Sequence, residues 1–201
     1  MAQELKLKAG SSISAKTLLY EGYQKEENRI IANIGIDKIE SVMQHFIVMH
    51  EEPVFFILEL PAKQTDETEI APGIVNTLHK DIYYIDGCTQ EEALTILIRV
   101  GDILYNDGLS SFGFGCHESG DEIIFGKYNV LTIFSQEISK YDGFFVAHDI
   151  DITDNLITAW DTFSDETPGT SEKYVADGKT VYDIPEQFKE WGMYYAEQRE
   201  E

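Results

Sequence analysis

Apolar and polar positions along this chain change period several times, and each change marks an element. Residues 17–23 and 29–36 are β-branched and apolar enough for two strands, with Gly22 and the charged 24–28 as their turn. Ile39, Val42, Met43, Phe46, Ile47 and His50 then recur three and four residues apart, so 38–51 is predicted as an amphipathic helix. Asp37 stands in the N-cap position with Glu40 three residues on, and Pro53 stops the helix. The compact run at 54–60 reads as a buried strand, and 81–85 as another, closed by Asp86-Gly87.

Thr89 and Glu92 form a second capping box. The helix behind it buries Ala93, Leu94, Leu97, Val100, Ile103 and Leu104, and Gly108 is expected to end it in a left-handed conformation. Three short strands follow at 110–116, 122–125 and 128–134, separated by glycine turns. A short helix is expected at 135–141 and a strand at 144–147, while 149–163 fits either period. Flexible loops are predicted near 62–73 and 164–180. Asp183 caps a last helix, with Pro185 in its first turn and an aromatic face of Phe188, Trp191, Tyr194 and Tyr195. The sum is an α+β fold spanning 1–201 as one domain, with a mixed or antiparallel sheet of roughly five to seven strands flanked by three or four helices.

Charge changes this picture most. The net charge is −22, and residues 81–166 carry Arg99, Lys127 and Lys140 against seventeen acids. A field of that sign repels nucleic acid and anionic membrane and attracts basic proteins. The first twelve residues hold no apolar run of signal-peptide length, and the longest apolar stretch is too short to span a membrane. Two cysteines make no disulfide framework, so a cytoplasmic protein is expected.

Candidate chemistry is sparse. In the cluster Gly113-Phe-Gly115-Cys-His-Glu-Ser-Gly120 the third glycine is two positions late for a dinucleotide fingerprint. Gly126-Lys127 leads into Tyr128 and a strand, not a phosphate-loop helix. Cys88, Cys116 and His117 lack metal-ligand spacing. A calcium loop starting at Asp149 would need glycine where Asp154 stands and glutamate where Trp160 stands. No cofactor, catalytic residue or metal site is assigned.

The reading that remains is a non-enzymatic acidic protein that captures a basic protein partner, in the manner of an immunity protein or a nucleic-acid mimic. Its candidate surface is Asp102, Asp107, Glu118, Asp121, Glu122, Asp149, Asp151 and Asp154. Two alternatives stand beside it. One is a metal-assisted hydrolase built on His148, Asp149 and Asp151, with His117 as a further member. The other is an assembly protein that uses the aromatic helix or an exposed strand edge.

Overall fold

The computed structural model describes residues 3–14, 16–63, 69–71, 74–75 and 78–200. In chain order the elements are β1 (Ser11–Ser12), β2 (Gly22–Lys25), β3 (Arg29–Asn33), α1 (Ile39–Met49), β4 (Val54–Pro61), β5 (Glu69–Ala71), β6 (Ile74–Val75), β7 (His79–Cys88), α2 (Gln90–Asn106), β8 (Ser111–Cys116), β9 (Asp121–Phe125), β10 (Val130–Phe134), β11 (Thr170–Ser171), α3 (Ile184–Gln187) and β12 (Tyr194–Glu200). Eight strands form one antiparallel sheet in the order β12-β7-β4-β8-β9-β10-β3-β2, one strand more than the upper end of the expected range. The α+β class stands.

Alternation along β4 decides which face is core. Val54, Phe56, Leu58 and Leu60 join Val42, Met43 and Phe46 of α1 and Ala93, Ile96 and Val100 of α2 in one cluster that reaches from Tyr23 to Met193. Phe55, Ile57 and Glu59 point the other way, where β8 presents Gly113 and Gly115. Glycine is required at 115 because a Cβ there would lie 2.2 Å from the Phe55 ring, which folds over that position.

Local signals held where a side chain meets its own backbone. Thr89 and Glu92 cap α2 reciprocally: the Glu92 N–H donates to Thr89 Oγ1 at 3.2 Å and the Thr89 N–H to Glu92 Oε2 at 2.8 Å. They failed at Asp183, whose carboxylate accepts the Thr180 N–H at 2.8 Å instead of capping α3, and at Asp37 and Gly108, where a distant partner won. Asp37 does not cap α1; its carboxylate pairs with the Lys6 ammonium at 2.5 Å, and Lys38 takes the N-cap position without a capping side chain. Gly108 is not left-handed. It packs against Gly10, whose carbonyl oxygen would be 1.8 Å from a Cβ at that position.

Several expected elements change type or place. The strand expected at 17–23 lies instead at Gly22–Lys25, within the stretch expected as its turn, and the short helix expected at 135–141 is a 3-10 turn at Ile138–Tyr141. The strand at 144–147 is a turn running into a 3-10 turn at Val146–His148. The ambiguous 149–163 is neither helix nor strand beyond a bridge at Ile152 and a 3-10 turn at Ala159–Thr162. The aromatic helix lasts only through α3 and a 3-10 turn, Lys189–Trp191. Gly192 then turns left-handed at φ +85°, and the chain leaves as edge strand β12. Phe188 keeps its core position, while Tyr194 and Tyr195 are exposed and pair in register with Tyr84 and Tyr83 of β7. The loop expected at 62–73 lies partly outside the described residues, and 69–71 within it belongs to β5.

Candidate partner-binding cleft

The two edges of the large sheet are finished differently. Beyond β12 no further strand pairs among the described residues. Along β2, the segment 151–157 is stitched to the edge. The Tyr23 N–H donates to the Asp151 carbonyl at 3.0 Å, and the Thr153 N–H returns to the Tyr23 carbonyl at 2.8 Å. The Leu156 N–H reaches Gln24 Oε1 at 2.9 Å. Asn33, buried on β3, spans both walls: its Nδ2 donates to the Tyr20 carbonyl at 3.0 Å and to the Ile157 carbonyl at 2.8 Å.

Between residues 18–21 and 149–157 these bonds hold open a cleft of about 450 Å³. Leu18, Tyr20, Ile152 and Ile157 line it and are all exposed. Asp149 and Asp151 line it as well, with Asp154 exposed on the same loop. Glu21 lies at its base, buried and already satisfied: Oε1 accepts the Gly35 N–H at 3.0 Å and Oε2 accepts the Lys38 ammonium at 2.6 Å. Lys38 also donates to the Asp149 carbonyl oxygen at 3.2 Å, so this cation is engaged. Among the described residues no ion pair involves the Asp149 or Asp151 carboxylate. The arrangement combines exposed apolar surface with acid that no cation among the described residues pairs with.

The other sequence-predicted residues are dispersed. Asp102 is exposed on α2, where its Oδ2 accepts from the Tyr174 hydroxyl at 3.4 Å. Glu118 is exposed in the β8–β9 turn, and Glu122 is half-buried on β9, where burial and the Glu59 carboxylate push its pKa up. Asp107 is fully buried just past α2. It accepts backbone N–H groups from Leu109 at 2.9 Å, Ser110 at 2.8 Å and Tyr174 at 3.0 Å. Asp121 is buried too, and its Oδ2 accepts from His50 Nε2 at 2.8 Å, from the Tyr141 hydroxyl at 3.1 Å, and from the Lys140 ammonium. The structure therefore brings Asp149, Asp151 and Asp154 together and uses Asp107 and Asp121 inside the fold.

The proton inventory around Asp121 follows from its neighbours. His50 Nδ1 faces the Phe46 carbonyl at 2.7 Å and donates to it, while Nε2 lies 2.8 Å from Asp121 Oδ2 and 3.3 Å from the Tyr141 hydroxyl. Burial pushes the His50 pKa down, against the Phe46 carbonyl, which raises it. With both nitrogens occupied, His50 is not free to activate Cys116, although the two line one small cleft with Lys140.

Sequence reasoning missed one group. His148 Nδ1 is 3.2 Å from Ser41 Oγ, and its Nε2 is 3.1 Å from Nδ1 of His45, which stacks on Phe144. His117 instead touches Asp86 and Phe55, so it shares no partner with His148. Among the described residues no group of three or more His, Cys, Asp or Glu side chains is placed to hold a metal ion. His45 lies on α1 off the apolar pattern, and nothing local points it toward His148, 103 positions on.

No protein-family model matches the chain, no curated protein matches it, and no solved structure matches it. Among the described residues no helix is long and apolar enough to cross a membrane.

Proposed function

We propose that this chain is a non-enzymatic acidic binding protein that captures a basic protein partner in the cleft between 18–21 and 149–157. The observation that supports this is the pairing of unneutralised Asp149 and Asp151 with exposed Leu18, Tyr20, Ile152 and Ile157 on walls already fixed by backbone hydrogen bonds. Acid alone keeps a protein soluble. Acid beside apolar anchors in a preformed cleft selects a lysine- or arginine-bearing polypeptide that also inserts an apolar side chain. Such a partner meets the protein in the cytoplasm, in keeping with Cys88 and Cys116 as free buried thiols. The role resembles that of an immunity protein or nucleic-acid mimic, and it needs no cofactor.

The test is a pull-down from the source cell's lysate at low and at near-molar salt, where the screening length falls well below its value of about 10 Å at 0.1 M. A stoichiometric basic partner held at low salt, released at high salt and lost with an Asp149→Lys/Asp151→Lys chain supports capture in the cleft. A partner retained equally by that variant removes the cleft from the reading. A blank at both salts removes the reading itself.

A further inference from the structure

We infer that the His45–His148 contact is a proton-operated latch on the cleft wall, closed while one of the facing nitrogens carries hydrogen and the other a lone pair, and opened when both imidazoles are charged. The two nitrogens are 3.1 Å apart and the ring centroids 5.2 Å, so the rings meet edge to edge through one N–H···N bond. Such a bond needs a lone pair on one side. With no added proton, or with one, the bond survives; with two, like charges face each other across it.

The latch acts on one element. His148 ends the 3-10 turn Val146–His148, and the next residue is Asp149, left-handed at φ +55° and lining the cleft. Through His148 the turn is held to α1 twice, by His45 and by the Ser41 hydroxyl, which itself donates to the Lys38 carbonyl at 2.9 Å. Phe145 and Ile150 on either side are buried in the core. Opening is therefore confined to 146–149, and it displaces Asp149 as far as the Lys38 bond to its carbonyl oxygen allows rather than unfolding the wall.

The surroundings set the direction. His148 faces the Lys38 ammonium from the start of α1, which resists charging, and the Asp149 carboxylate from its own segment, which favours it. His45 is stacked on uncharged Phe144 and shares its groove with Leu94 and Ile98 of α2, which carry no charge. Burial lowers both imidazole pKa values, so the doubly charged state is reached only below the ordinary histidine range.

The consequence for capture rests on the function proposed above. The latch itself does not, because its test uses the full chain with no partner. Histidine-ring and backbone amide NMR signals are followed from about pH 7.5 to about pH 4.5. The expected result is that the amides of His148 and Asp149 move together with the second imidazole titration. His45→Gln, which keeps a hydrogen-bonding side chain that cannot charge, should abolish that movement while the carboxylates still titrate. His148→Phe should place the Asp149 amide near its acid position already at about pH 7.5. Amides that stay still while both rings titrate, or that move unchanged in His45→Gln, overturn the latch whether or not a partner is ever captured.

Discussion

Asp121 and Asp149 belong to the same acidic stretch and have opposite surroundings. Asp121 opens β9 under the end of α1, with an imidazole, a phenol and an ammonium group on one carboxylate oxygen. Asp149 sits on a turn at the cleft, exposed and in no ion pair among the described residues. The first is a carboxylate that the fold consumes: removing it from water is offset by three donors, and it joins α1, β9 and the turn at 138–141. The second is a carboxylate that the fold leaves available. A net charge of −22 therefore overstates the acid on offer to a partner, and only position in the fold tells the two kinds apart.

Stability measurements break this comparison first at Asp121. Asp121→Ala leaves His50, Lys140 and Tyr141 without their shared acceptor and should cost about 3–5 kcal/mol in urea unfolding. A loss under about 1 kcal/mol would mean that water takes over the acceptor role and that Asp121 is no different from Asp149.

Lys8 sharpens the comparison from the opposite sign. It is buried with one carbonyl acceptor, Gly126 O at 2.9 Å, and a Phe125 ring, and burial brings its pKa down to about 7 from 10.5. The folded protein gives up this proton near pH 7 while the unfolded chain keeps it to about 10.5, so between those values the unfolded state binds more protons. Stability should rise with pH across that window, by up to about 1.4 kcal/mol per unit, and the penalty is fully present below it. Lys8→Met should flatten the rise and stabilise the protein at about pH 6, as read by urea midpoints across the range.

Asp107 comes next. Asp107→Ala strands three backbone N–H groups, those of Leu109, Ser110 and Tyr174, and should cost about 2–3 kcal/mol. Because the Tyr174 bond ties the 172–174 segment to the end of α2, hydrogen exchange should speed up there before it does in the sheet.

What could be read from the sequence follows the reach of each interaction. The Thr89–Glu92 box, the periods of α1 and α2 and the Gly120 turn are settled within a few residues, and they hold; between β9 and β10 the left-handed residues are Tyr128 and Asn129, not Gly126. The burial of Asp121 depends on His50 and that of Asp107 in part on Tyr174, each far away in sequence, while the Leu109 and Ser110 N–H groups give Asp107 only a local turn, so an acid in a turn looked the same whether it faced water or the core. The aromatic run after Asp183 misled for a related reason. Phe188 and Trp191 do share a helical spacing, but Tyr194 and Tyr195 answer to β7, and the left-handed Gly192 between them ends the helix. The cleft was half visible: its carboxylates were on the candidate surface, while Leu18 and Tyr20 were read as part of a strand and became its apolar wall.

The smallest effect on stability is expected at the cleft, and that is where the comparison is decided. Asp149→Lys/Asp151→Lys changes two exposed side chains outside any ion pair among the described residues and should move the unfolding free energy by no more than about 1 kcal/mol, most of it from placing lysine on the left-handed backbone at 149. Its effect on association should be far larger, because two carboxylates become two cations beside Lys38, and a basic partner then meets like charge at the site of docking. Association should slow by at least about tenfold at low salt, with the difference from the native chain shrinking as salt is added, since screening removes the field that steers the encounter. Stopped-flow association with the captured partner at several ionic strengths reads this directly. Unchanged rates with unchanged stability would mean that Asp149 and Asp151 keep the protein soluble and do nothing more. Slowed association with unchanged stability would separate the carboxylates the fold uses from those it presents.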